Sequence, residues 1–114
     1  MSNEVIVTPN FRKEVKPLLK KYPSLKGELR SLENELLLNP SQGTSLGGNS
    51  FKIRLAVKSK GKGKSGGMRV ITYIDVNISV ENSTKIFLLS IYDKSEIDSI
   101  SRDEIRRLVS ARKT

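Results

Sequence analysis

Neither cysteine nor histidine occurs in the 114 residues. Without cysteine there is no disulfide framework and no thiol nucleophile. Without histidine there are no His-ligated metal sites, no Ser-His-Asp triads and no imidazole acid–base chemistry. Any catalysis must run on Lys, Arg, Tyr, carboxylates or the substrate itself. No apolar run approaches membrane-spanning length, and MSNEVIVTP lacks the apolar core of a signal peptide, so a cytoplasmic protein is expected. Acidic residues are missing over a long stretch: none lies between Glu35 and Asp75.

Positive charge fills that gap. The chain carries 21 Lys and Arg against 12 Asp and Glu, a formal net charge of +9. This balance favours nucleic acid or an acidic protein as partner. At 36% hydrophobic and 29% charged, the chain has the composition of a folded protein. Its length suits one domain spanning residues 1–114.

The basic residues concentrate in FKIRLAVKSKGKGKSGGMRVITYID, from Phe51 to Asp75. FKIRLAV alternates, and MRVITYI is rich in β-branched and aromatic residues, so two strands flank a cationic Gly-rich loop. Lys58, Lys60, Lys62 and Lys64 belong to that loop, while Lys52, Arg54 and Arg69 sit on the strands. GKGKSGG is not a Walker A motif: the position five before Gly63 is Lys58, and a strand rather than a helix follows. A flexible backbone bearing lysines fits a phosphodiester chain better, although such a run is also compatible with a merely solvated surface.

The remaining pattern predicts the order β-α-α-β-β-β-α. EVIVT reads as a strand ended by Pro9, at an edge because proline cannot donate to a ladder. Asn10 is the expected N-cap of a first helix bearing Phe11, Val15, Leu18 and Leu19 on one face, with a kink or restart at Pro17. Ser24 is the expected cap of a second, whose Leu25, Leu29, Leu32 and Leu36 form an apolar stripe. Asn39-Pro40 stops it, and SQGTSLGGNS reads as a turn-rich connector. The second strand of the basic stretch extends in pattern through Ile78 and Val80, which would make it the longest. After the polar turn Glu81-Asn82-Ser83-Thr84, KIFLLSI is a strand covered on both faces. Ser101 with Glu104 matches a capping box, opening a helix with Ile105, Leu108 and Val109 on its apolar face. The expected fold is α+β: a small antiparallel sheet, an N-terminal helical hairpin packed on it and a short C-terminal helix.

Arg54, Arg69, Tyr92 and Lys94 then fall on three strands or strand ends. Gathered on one surface, they suit RNA cleavage: a ribose 2′-OH attacks its own phosphate, arginines stabilise the developing charge, and Tyr92 or a lysine assists proton transfer. The plainer reading is that the arginines only hold phosphate and Tyr92 only packs. Tyr73 and Phe51 are read as core rather than as base-stacking residues. Asp93, Glu96 and Asp98 lack the spacing of a calcium loop and read as a solvated turn.

Several of these segments carry a family resemblance. Tyr22-Pro23-Ser24-Leu25, Asn39-Pro40, Gly43-Thr44-Ser45-Leu46-Gly47, Lys52-Ile53-Arg54, Lys58 to Val70 and Ile91 to Glu96 (IYDKSE) together resemble the RelE/ParE superfamily of bacterial toxins from toxin–antitoxin modules. The likeness runs over about residues 5 to 109 and is greatest to the HigB/RelE branch, which cleaves mRNA in the ribosomal A site without metal or cofactor. It implies a ribosome-dependent mRNA endonuclease neutralised by a cognate antitoxin. Arg69 would contact the scissile phosphate, Tyr92 and Lys94 would be catalytic, and Arg54, Lys52, Lys58, Lys60, Lys62 and Lys64 would touch RNA or ribosome. The ParE branch shares the fold and acts on DNA gyrase, so a gyrase poison or a non-catalytic RNA binder is the second reading.

Overall fold

The computed structural model describes residues 3–61, 66–77, 83–97 and 99–112. It is α+β: β1 (Asn3–Val7), α1 (Pro9–Lys21), α2 (Leu25–Leu38), β2 (Thr44–Gly47), β3 (Ser50–Leu55), β4 (Met68–Asn77), β5 (Ser83–Asp93) and α3 (Arg102–Ser110). The strands form one sheet in the order β1-β5-β4-β3-β2. Its central ladders are antiparallel, but β1 runs parallel to β5, so the sheet is mixed rather than purely antiparallel. A parallel neighbour needs a crossover, and α1, α2, β2, β3 and β4 supply a long one. β1 lies at an edge, as expected, but Pro9 is not part of it: the strand ends at Val7 and Pro9 opens α1.

The helical hairpin covers one face. Phe11 and Val15 of α1 and Leu25, Leu32 and Leu36 of α2 pack with Ile53, Met68, Val70, Ile86, Leu88 and Ile91. Fully buried leucines such as Leu25 and Leu36 contribute about 2 kcal/mol each by removal from water. The opposite face holds a smaller cluster of Ile71, Phe87, Leu89 and Tyr92 against Ile105 and Leu108 of α3.

Several local expectations change. Thr8, not Asn10, caps α1: its Oγ1 accepts from the Phe11 N–H at 3.2 Å, and Pro9 takes the first helical position, where no donor is needed. Asn10 instead donates to the Leu89 carbonyl at 2.9 Å. Pro17 leaves α1 a single helix. Ser24 occupies the cap position of α2 without bonding its amides; its Oγ meets Glu28 and Ser59. Ser101 does cap α3, accepting from the Glu104 N–H at 3.1 Å.

The connector SQGTSLGGNS contains an additional strand, β2, hairpinned onto β3. Gly48 (φ 58°) and Asn49 (φ 65°) are both left-handed, the geometry of the two-residue turn that matches strand twist. Gly43 (φ 101°) precedes β2, and a Cβ there would lie 2.6 Å from the Lys52 carbonyl oxygen. β3 ends at Leu55, earlier than FKIRLAV predicts, yet Val57 is still core. The expected extension of β4 through Ile78 and Val80 lies outside the described residues, as do Glu81 and Asn82 of the expected turn; Ser83 and Thr84, expected in that turn, instead open β5 and pair with β4.

β5 departs from regular alternation at one point. Ile71 opposes Ser90, while the next residue, Thr72, opposes Leu88, so β5 carries a bulge at Leu89. Beyond Val7, where β1 ends, α1 serves the edge of β5. Thr8 donates to the Leu88 carbonyl through N–H and Oγ1 at 3.3 and 2.7 Å, and Glu14 accepts from Ser90 Oγ at 2.7 Å and the Ile91 N–H at 3.2 Å. The side chains of α1 thus satisfy backbone groups that the shorter strand leaves open.

Candidate nucleic-acid interface

Arg54 of β3, Arg69 of β4 and Tyr92 of β5 oppose one another in register, one row across three adjacent strands. The hydrogen-bond phase fixes how they meet. The Ile74 N–H donates to the Asn49 carbonyl at 2.9 Å, so every second residue of β3 from Asn49 faces β4, and Arg54 with Arg69 is a non-hydrogen-bonded pair. Cβ atoms of such pairs stand about 4.5–5.5 Å apart, the closest cross-strand approach. The Lys94 N–H donates to the Gly67 carbonyl at 3.1 Å, so Arg69 and Tyr92 are a hydrogen-bonded pair and Lys94 follows directly on the same ladder.

Two like charges placed directly opposite destabilise a sheet. A focused positive field is what the arrangement gains: it suits an anion at the end of β3 and β4. The two arginines differ in access. Arg54 is exposed. Arg69 is 4% exposed, and its Nη1 donates to the Met68 carbonyl at 3.2 Å. Tyr92 is 5% exposed and belongs to the apolar cluster with Ile105, against which Ile100 packs. Its Oη makes no hydrogen bond among the described residues. Burial pushes the Tyr92 pKa above its ordinary value of 10.0, against the opposing pull of the Arg69 charge. At neutral pH Tyr92 is therefore a proton donor, not a base.

Between Tyr92 and Lys94 the chain turns Asp93 the other way. Its carboxylate accepts from Tyr22 Oη at 3.1 Å, from the Ser95 N–H and Oγ at 2.9 and 2.7 Å, and from Lys60 Nζ at 3.0 Å. Burial alone would raise its pKa, but the bonds from Ser95, Lys60 and Tyr22 outweigh it and hold the carboxyl at about 2. Lys60 also donates to the Gly66 carbonyl at 2.8 Å, which ties both ends of the β3–β4 loop together.

Asp93, expected on a solvated turn, is instead 4% exposed and fully bonded. Lys60 was expected to face RNA, but its side chain is 7% exposed and spent on Asp93. Lys58 is exposed, with its N–H donated to Glu28 Oε2 at 2.8 Å. Lys52 lies two residues before Arg54 on the same face, opposite Ile71. Lys62 and Lys64 lie outside the described residues, as does Asp98. Tyr73 is paired with Phe87 at 6.4 Å between ring centroids, with the Arg112 guanidinium 4.9 Å over its ring, consistent with packing.

Two grooves flank the row. One of about 570 Å³ runs between α2 and the outer edge of β3, past Leu32, Ile53 and Arg54. The other, about 540 Å³, lies between the β2–β3 hairpin and α3, lined by Gly47, Gly48, Ser50, Tyr73, Arg102 and Arg106 among others. Arg102 and Arg106 were not singled out from sequence; their spacing of four on a helix was the available signal. No family model matches the chain.

Proposed function

We propose that the protein is the toxin of a toxin–antitoxin module, a cytoplasmic endoribonuclease that cuts mRNA in the ribosomal A site and is neutralised by a cognate antitoxin. The observation carrying this reading is the row Arg54–Arg69–Tyr92, followed at once by Lys94, on a strongly basic chain. The scissile phosphate docks on Arg54 and Lys94 and draws on the field of Arg69. The ribose 2′-oxygen bonds to phosphorus, its proton passes to water, and the bond to the 5′-oxygen breaks. Tyr92, neutral at physiological pH, protonates that leaving oxygen and regains a proton from water. The two arginines stabilise the charge that builds on the non-bridging oxygens. Because Tyr92 lies in the cluster with Ile105, reaching its Oη requires the α3 side of the site to shift.

The test is transcript cleavage in a translating extract, mapped against codon position. Wild-type protein cuts within codons, and Arg54→Ala, at an exposed position, slows cutting by about a hundredfold, the scale of one lost charge-stabilising donor. A folded Arg54→Ala protein that cuts at the wild-type rate removes this reading. The burial of Arg69 and Tyr92 favours one second reading, a binder of RNA without chemistry. Intact transcripts despite RNA binding would select it, whereas DNA-break signalling with intact transcripts would select a gyrase poison.

A further inference from the structure

The groove between the β2–β3 hairpin and α3 has no role in the mechanism above, although it opens on the same face of the sheet. Ser50 and Arg54 lie on one face of β3, and Tyr73 and Arg69 oppose them on β4. The groove begins at Ser50 and Tyr73, and the charged row lies four residues further along, about 13 Å at the usual rise per residue. Lys52 stands midway between them. Lys52 thus places one basic residue between the groove and Arg54 on that face of β3.

The groove's own chemistry is anionic recognition joined to an apolar floor. Arg102 and Arg106, one helical turn apart on α3, are its charged lining residues, and both are exposed. Arg106 donates to Asp103 at 2.8 Å, but that pair is on the surface, where such contacts are weak and readily exchanged for a phosphate. Leu46, Tyr73 and Val109 supply apolar lining. Gly47 and Gly48 bring backbone close with no side chain in the way, and a Cβ on either would meet nothing within 4 Å. At about 540 Å³ the groove is within the usual size of small-ligand sites.

We infer that this groove is a second RNA subsite, taking a nucleotide that flanks the linkage held at Arg54 and Arg69, with Arg102 and Arg106 on its phosphate and the base against the apolar floor. The inference rests on the RNA-cleaving reading and extends it from one phosphate to a short single strand. A single strand suits the site because its backbone can bend through the groove and its bases are unstacked.

Fluorescence anisotropy with 2′-O-methyl oligouridylates of three and eight nucleotides tests it, since these cannot be cut by their own 2′-oxygen. Wild-type protein binds the eight-mer more tightly than the three-mer. The double variant Arg102→Ala/Arg106→Ala loses at least tenfold for the eight-mer and most of the gain with length. Its salt dependence is shallower by about 1.4 in log–log slope, the value for two lost single-strand phosphate contacts. The charge-matched control Lys26→Ala/Arg107→Ala, exposed residues outside the groove, changes eight-mer affinity less than threefold. Arg54→Ala weakens both lengths alike. A folded groove variant that binds like the control, or that keeps the length gain, overturns the subsite and leaves the RNA reading standing. Failure of wild-type protein to bind the eight-mer overturns the subsite, while the RNA-cleaving reading stands or falls by cleavage in the translating extract.

Discussion

Tyr92 carries a hydroxyl that the fold does not use. Its Oη is buried and makes no hydrogen bond among the described residues, a state that costs free energy rather than supplying it. Tyr92→Phe should therefore leave stability unchanged or raise it by about 1 kcal/mol in urea unfolding, while cleavage falls by about a hundredfold. A loss of stability with full activity would make Tyr92 a packing residue. Asp93 is the converse case, fully engaged and paired with a buried lysine. Its pKa is about 2 when folded and 3.8 ordinarily, so the carboxylate form is favoured by folding, worth about 2 kcal/mol. The sign follows: this contribution is complete above pH 3.8 and is lost as pH falls from there towards 2. Urea unfolding between pH 5 and 2 should show a decline that Asp93→Asn makes shallower. Removing either partner singly costs about 3 kcal/mol by stranding a buried charge, and the double variant Lys60→Met/Asp93→Asn costs less than the sum. None of this was visible in the sequence, where Lys60 is one of four alternating loop lysines. Which lysine folds inward is decided by where Asp93 and Gly66 end up, a tertiary matter.

The leucine stripe of α2, the apolar face of α1 and the strands either side of the basic loop were legible because their periodicity is local and strong. The cap of α1 was misread because Thr8 and Asn10 both fit, and Pro9 between them should have decided for Thr8. β2 was missed because its four residues, Thr-Ser-Leu-Gly, have little strand character of their own; it exists by pairing with β3 across the Gly48-Asn49 turn. The glycine that starts it is the sensitive one. At Gly43 both the positive φ and the 2.6 Å approach to the Lys52 carbonyl forbid a side chain. Gly43→Ala should destabilise the protein by about 2 kcal/mol in chemical denaturation, whereas Gly27→Ala, on exposed helix with open space around it, should stabilise it by about 0.5–1 kcal/mol. The sequence places Arg54, Arg69 and Tyr92 on three strands or strand ends, but neither the adjacency of those strands nor their register is legible there, since pairing depends on the loop and on the bulge.

The molecule as a whole is unequally built on its two sides. Two helices of 13 and 14 residues seal one face, whereas the other relies on nine residues of α3. With Ile105 and Leu108 as its buried residues, α3 should open well below the free energy of global unfolding. Native-state hydrogen exchange should find the amides of Ile105 to Ser110 exchanging through a local event, while those of β4 and β5 wait for complete unfolding; protection of α3 equal to the central strands would contradict the access that Tyr92 requires. The bulge at Leu89 adds a constraint of arithmetic. Upstream of it, Phe87 shares the α3 side, and uninterrupted alternation from there would hand Tyr92 to the helical hairpin; one extra residue inverts the parity and delivers it beside Arg69 instead. Between Phe87 and Tyr92 the chain can therefore change its letters more easily than its count, because a single insertion or deletion would send the tyrosine to the wrong side of the wall while leaving every other element in place.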